Sequence, residues 1–193
     1  MTEKKYIARN LYINKIEPFM GSGLIKVLTG QRRVGKSYVL LQLMDEIGKR
    51  NRNAKIIYIN KEDYRFETIR TYTDLMKYLK PQIGKGGKYY LFIDEIQEIE
   101  NFEIALRSLQ AIDGWDIYCT GSNATLLSGE LATYLSGRYV QIRIYPLNYA
   151  EFLQFHSLTD SAASFLKFIR HGGMPHLINL RQEDRIVYEY LRN

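Results

Sequence analysis

The sequence predicts an α/β fold built on a mostly parallel five-stranded sheet, and three observations carry that expectation. Five short β-branched or aromatic runs alternate with segments whose apolar residues recur every three or four positions, the order in which helices cover a parallel sheet. A glycine-bearing turn links the first run to the first helical segment. The chain has 193 residues, 46% of them hydrophobic, which supplies a sizeable core and argues against disorder.

Taken in order, Leu24-Ile25-Lys26-Val27-Leu28-Thr29 reads as a buried strand, and Val39, Leu40, Leu43, Met44 and Ile47 form the apolar stripe of a helix over 36–50. Further strands are expected at 54–60, 88–94, 115–121 and 139–145, with helices at 71–80, 101–112 and 124–135 between them. Gly84-Lys85-Gly86-Gly87 reads as the turn feeding the third strand. Beyond Pro146 the strands stop. Helices are expected at 148–155 and 160–171, then a turn at Gly172-Gly173-Met174-Pro175 and a final helical segment from Gln182 to Arg192. This pattern divides the chain into a sheet domain over 1–146 and a partial helical lid or C-terminal subdomain over 147–193. The last helix has no C-terminal cap signal and reads as a chain cut inside a larger protein.

The turn after the first strand is the most specific motif. Gly30-Gln31-Arg32-Arg33-Val34-Gly35-Lys36-Ser37 fits the phosphate-loop pattern G-x-x-x-x-G-K-[ST] in full, and it lies between a strand and a helix as that pattern requires. The glycines let backbone N–H groups curl around a phosphate, and the loop opens into a helix N-terminus that favours anions. The expected ligand is ATP or ADP. Lys36 would reach the β- and γ-phosphates and the Ser37 hydroxyl would hold Mg²⁺. Together with Gln31, Arg32, Arg33, Val34 and Tyr38 these residues form the expected nucleotide-binding surface, although solvated loop arginines account for Arg32 and Arg33 equally well.

The third strand, Tyr89-Tyr90-Leu91-Phe92-Ile93, ends in Asp94-Glu95. A carboxylate there lies on the sheet edge where open α/β folds bind ligands, so Asp94 can hold Mg²⁺ through its water shell. Glu95 can orient and deprotonate the water that attacks the γ-phosphate. The fourth strand ends in Ser122-Asn123 on the same edge, as a γ-phosphate sensor or as a plain turn and helix cap.

The net charge of +6 is uneven: residues 1–37 hold eight Lys or Arg against Glu3 and Glu17, and the remainder is neutral. Basic charge gathered at the phosphate loop suits a polyanionic ligand and gives little support to a broad nucleic-acid face. Cys119, the only cysteine, excludes an internal disulfide or a cysteine metal site. His156, His171 and His176 form no ligand set with nearby carboxylates and read as structural or surface residues. The tyrosines in the strand runs read as core packing rather than base-stacking platforms. No stretch approaches the roughly 20 apolar residues of a membrane span and no signal core follows Met1, so a cytoplasmic location with no membrane association is expected.

These residues together resemble the AAA+ and STAND-like branch of P-loop ATPases. The likeness is to prokaryotic members whose N-terminal AAA domain carries a G-x-R-R-V-G-K-[ST] loop, a D-E-I-Q strand end and a T-G-S strand end. Here those are Gly30 to Ser37, Asp94-Glu95-Ile96-Gln97 and Thr120-Gly121-Ser122. Leu135-Ser136-Gly137-Arg138 and Pro146-Leu147-Asn148-Tyr149-Ala150-Glu151-Phe152 resemble further segments of that family. The resemblance implies a P-loop NTPase three-layer sandwich with strand order 5-1-4-3-2 and a further C-terminal domain. It also implies a homo-oligomer in which Arg138 acts as a trans arginine finger, packing of Pro175 against adenine, and cover of the adenine by Arg9 and Tyr12. The expected activity is Mg²⁺-dependent ATP hydrolysis. A nucleotide-dependent switch with negligible turnover, a small-molecule kinase and a DNA-binding role remain the alternatives.

Overall fold

A computed structural model of the chain describes residues 6–83, 87–122, 134–181 and 183–192. Its centre is a five-stranded, all-parallel sheet of β1 (Ile25–Gly30), β2 (Lys55–Asn60), β3 (Tyr89–Asp94), β4 (Trp115–Ser122) and β5 (Tyr139–Arg143), in the order β2-β3-β4-β1-β5. This is the expected order read from the other edge, and the architecture is the P-loop NTPase α/β fold. Strand ends differ from expectation by a residue or two, and the expected helix at 124–135 falls largely outside the described residues.

Each central strand buries both of its faces, which is why it reads as an unbroken apolar run. Tyr89, Leu91 and Ile93 face one core beside Leu75 and Leu79 of α3 (Tyr72–Leu79) and Leu106 and Leu109 of α4 (Phe102–Gln110). Tyr90 and Phe92 face the other core, with Leu40 and Leu43 of α2 (Lys36–Arg50) and Tyr12 and Ile16 of α1 (Asn10–Ile16). The only tryptophan, Trp115, stacks on Tyr89 with ring centroids 5.0 Å apart at the start of β4. Buried Lys26 pairs with buried Asp116 near the same N-terminal edge of the sheet.

After β5 come α5 (Tyr149–His156), α6 (Ala162–His171), a 3₁₀ turn at Pro175–Asn179 and α7 (Asp184–Leu191). A capping box starts α5: the Asn148 side chain accepts from the Glu151 N–H and the Glu151 carboxylate accepts from the Asn148 N–H. Leu147, Phe152 and Phe155 form a third, smaller core with Ile7 and Phe168, which holds these helices to the N-terminal segment. No helix among the described residues is long and apolar enough to cross a membrane.

Helix α1 has no counterpart in the sequence expectations, and it changes the expected position of Tyr12. That side chain is buried in the α1–α2 core, and its hydroxyl accepts the Tyr145 N–H at 2.9 Å, so it packs beneath the site instead of covering a base.

Candidate functional site

The phosphate loop leaves β1 at Gly30, where a side chain is excluded: a Cβ built there would collide with the Ile144 carbonyl oxygen. Arg33 and Gly35 adopt positive φ (67° and 93°), which turns the chain into α2 at Lys36. No side chain caps this end of α2 and its first turn holds no acidic residue, so its first N–H groups remain available to an anion. Lys36 is only 5% exposed. Its Nζ donates to the carbonyls of Gly30 (3.3 Å) and Gln31 (3.2 Å) and stands 3.8 Å from Glu95 Oε1.

Beside Lys36 stand the residues at the C-terminal ends of β3 and β4. Asp94 is 2% exposed, and its two carboxylate oxygens accept from the hydroxyls of Thr120 and Tyr58. Burial and the neighbouring Asp94 charge push the Tyr58 hydroxyl well above its ordinary pKa, so it remains a donor at neutral pH. Glu95 is in the left-handed region (φ 55°, ψ 58°), a conformation that costs a non-glycine residue free energy and aims its side chain toward Lys36. The Glu95 N–H is taken by Thr120 Oγ1 at 2.9 Å, and Gln97 donates to its second carboxylate oxygen. One threonine hydroxyl thus ties both acidic residues into a single arrangement.

Lys36 and Glu95 line a cavity of about 620 Å³, a size suited to a small organic ligand. The phosphate-loop side presents Lys36, Ser37, Tyr38, Glu95 and Glu62, and the far side presents Ile7, Phe155, Pro175, His176 and Tyr190. A Cβ on Gly35 would lie 3.9 Å from the Pro175 ring, so the 3₁₀ turn sits directly against the phosphate loop. Tyr190 of α7 stacks on His176 (centroids 5.2 Å apart), and the Arg33 guanidinium lies over the Tyr190 ring, 5.3 Å from its centroid. The Tyr190 hydroxyl is buried without a hydrogen-bond partner among the described residues. A hydroxyl such as Ser37 and a carboxylate such as Asp94 are the hard-oxygen ligand types that Mg²⁺ favours when phosphate and water supply the rest.

The profile of the AAA domain family matches residues 22–153, which span the loop, the acidic strand end and the Glu151 segment. The chain belongs to this AAA domain family. Two relatives have similar sequences: an uncharacterized protein of Haemophilus influenzae, 35% identical over 91% of this chain and 45% of its own length, and one of Methanocaldococcus jannaschii, 38% identical over 86% of this chain and 40% of its own. The AAA domain chain therefore spans less than half the length of either. Among solved structures it resembles the Orc1 protein of Aeropyrum pernix in complex with DNA, with a TM-score of 0.63, 14% identity, and coverage of 97% of this chain and 65% of that one. It also resembles AMPPCP-bound DnaA of Aquifex aeolicus, with a TM-score of 0.54, 15% identity, and coverage of 92% and 62%. At those identities the likeness is one of fold.

Not every expected residue of the AAA domain converges on the cavity. Ser122 closes β4 with its backbone in register with Gly30, whereas Asn123 lies outside the described residues. Arg138 is exposed at the start of β5, next to Tyr139, which pairs with Ile25. It therefore sits at the opposite sheet edge, about a strand length (~17–20 Å) from the phosphate loop, and cannot serve its own chain's site. Arg32 is exposed 4.0 Å from exposed Glu62. His176, expected to be structural or at the surface, stands in the cavity wall. Sequence reasoning gave no role to Thr120, Tyr58, Glu62, Phe155 or Tyr190. For Thr120 the signal was present in the T-G-S strand end, while the others are brought in by packing between distant segments.

Proposed function

We propose that this AAA domain binds ATP with Mg²⁺ and hydrolyses its β–γ bond. The observation that carries the reading is the convergence of Lys36 and Glu95 (3.8 Å apart) on the cavity wall at the mouth of the phosphate loop, with buried Asp94 next to Glu95 in the chain. The backbone from Gly30 to Gly35, together with Lys36, cradles the phosphates, with Gln31, Arg32, Arg33, Val34 and Tyr38 forming the rim. Ser37 and Asp94 would hold Mg²⁺, which would supply charge neutralisation to the transferring phosphate. Glu95 accepts a proton from the attacking water as its oxygen bonds to phosphorus, and ADP departs with the bridging oxygen. Ser122 and Asn123 report on the γ-phosphate, and Pro175 packs against the base. Arg138, on the far edge, acts only on a neighbouring copy, which makes a homo-oligomer the complete enzyme. The sheet domain (1–146) and the helical segment (147–193) close the site between them.

One feature favours a second reading, a nucleotide-dependent switch with little turnover: both Glu95 carboxylate oxygens are engaged, one near Lys36 and one by Gln97. A base held in that way acts only after a phosphate has drawn Lys36 away.

Calorimetric ATP binding and phosphate release with Mg²⁺ test both readings. Lys36→Ala is expected to abolish binding, and Glu95→Gln to preserve binding while reducing turnover about 100-fold or more. Binding without turnover in the parent chain selects the switch. Unimpaired turnover in Glu95→Gln removes Glu95 as the base.

A further inference from the structure

Arg9 precedes α1 and is 4% exposed, an unusual setting for a guanidinium. Its Nε and Nη2 form a fork onto Glu151 Oε1 and Oε2, both at 2.9 Å. Nη2 also donates to the Tyr145 carbonyl (3.0 Å), and Nη1 donates to the Val34 carbonyl (2.9 Å) inside the phosphate loop. The Arg9 backbone N–H donates to Gln42 Oε1 on α2 at 2.9 Å. One residue therefore joins the N-terminal segment, the phosphate loop, its helix, the chain after β5 and the first turn of α5.

Stability is a poor account of this arrangement. Desolvating a guanidinium and a carboxylate offsets most of their attraction, and apolar residues of the same volume generally serve a core as well. What the pair supplies is registration. A phosphate loop turns N–H groups inward, so its carbonyls need partners on the outside. The Val34 carbonyl belongs to the same planar peptide as the Gly35 N–H and points the opposite way, so gripping the oxygen fixes the direction of that N–H. Glu151, 11% exposed, in turn fixes the guanidinium while capping α5 through the Asn148 N–H.

We infer that Arg9 is a positioning residue for the phosphate loop, and that its fork onto Glu151 makes nucleotide affinity depend on how the helical segment after Pro146 is docked. This rests on the ATP-binding reading above. Any partner or neighbouring domain that pulls α5 away releases the Arg9 fork, loosens the Val34–Gly35 peptide and weakens ATP binding without touching the cavity. Conversely, bound ATP holds α5 in place.

The experiment measures ATP dissociation constants by calorimetry for the full chain as Arg9→Lys, Glu151→Gln and the double variant, each well below its melting temperature. Glu67→Gln in the exposed Arg70–Glu67 pair serves as a control. Lysine keeps the charge but not the fork. Each single variant is expected to weaken ATP about tenfold, with the double variant no weaker than the poorer single, because the two residues act as one unit. Glu67→Gln is expected to bind as the parent does. Parent-like affinities, or losses that simply multiply in the double variant, overturn the inference. A second measurement needs no variant: ATP should slow hydrogen exchange at the amides of residues 151–154 in the parent chain, and unchanged exchange there with ATP bound overturns the inference alone. If the parent binds no ATP, the ATP reading itself fails and this inference fails with it.

Discussion

At Thr120 a single hydroxyl donates to Asp94 and accepts the Glu95 N–H. Thr120→Val keeps the β-branched shape and removes both bonds, which leaves a strained residue with an unpaired N–H. Turnover should fall about 10- to 100-fold with ATP affinity changed far less, and Thr120→Ser should restore most of it; steady-state phosphate release with calorimetric binding checks both. The neighbouring Cys119 gives a different test. Burial pushes its thiol up to about 12, against 9.0 for the free group. The folded chain therefore retains a proton that the unfolded chain has released between those values, so stability is complete below pH 9 and declines as pH rises. Denaturant midpoints at pH 8 and pH 10 should differ in that direction, and Cys119→Ala should reduce the difference. The motif residues Lys36, Ser37, Asp94 and Glu95 were legible one by one because their spacing repeats a chemical requirement. Tyr58 was not, since a tyrosine in a strand looks the same whether or not it contacts the site, and for Thr120 and Arg9 the sequence marked the residue but not its hydrogen bonds, which depend on segments distant in the chain.

Among the elements, α2 was read over 36–50 and is found at Lys36–Arg50, since Gly35 starts it, Lys49 and Arg50 close it and the apolar stripe is continuous. Helix α1 was illegible: seven residues with no capping side chain carry little local signal, and its stability comes from Tyr12, Ile13 and Ile16 packing on α2. The turn after α6 shows two different demands on glycine. Gly172 has φ 75° with open space around a built Cβ, while at Gly173 a Cβ would run into the Leu147 carbonyl, to whose residue it is joined by the Leu147 N–H···O bond at 2.6 Å. Gly172→Ala should cost only the strain of its backbone (φ 75°, ψ −174°), a region almost reserved to glycine, about 1–3 kcal/mol. Gly173→Ala should lower the melting temperature further and also weaken ATP binding, because the same displacement moves Pro175 off the phosphate loop. Calorimetry of both variants tests that order.

On the scale of the whole molecule, the parallel sheet has two unlike edges: the carboxyl ends of β1 and β3 lead to the phosphate loop and Glu95 at the cavity, and the opposite edge carries Arg138 and the Lys26–Asp116 pair. If neighbouring copies complete each other's sites across these edges, phosphate release per chain should rise with protein concentration and Arg138→Ala should flatten the rise while sparing ATP affinity. The same polarity bears on the chain's optical properties. Trp115, at the start of β4 and stacked on Tyr89, lies about 23 Å along the strand from the end that meets the phosphate loop, at ~3.3 Å per residue. Its fluorescence will report unfolding with high contrast and stay nearly silent when a ligand enters the cavity. A tryptophan placed at Tyr190, where the native ring lines the cavity and contacts both Arg33 and His176, would give the molecule the emission signal for occupancy that its own tryptophan is too distant to provide.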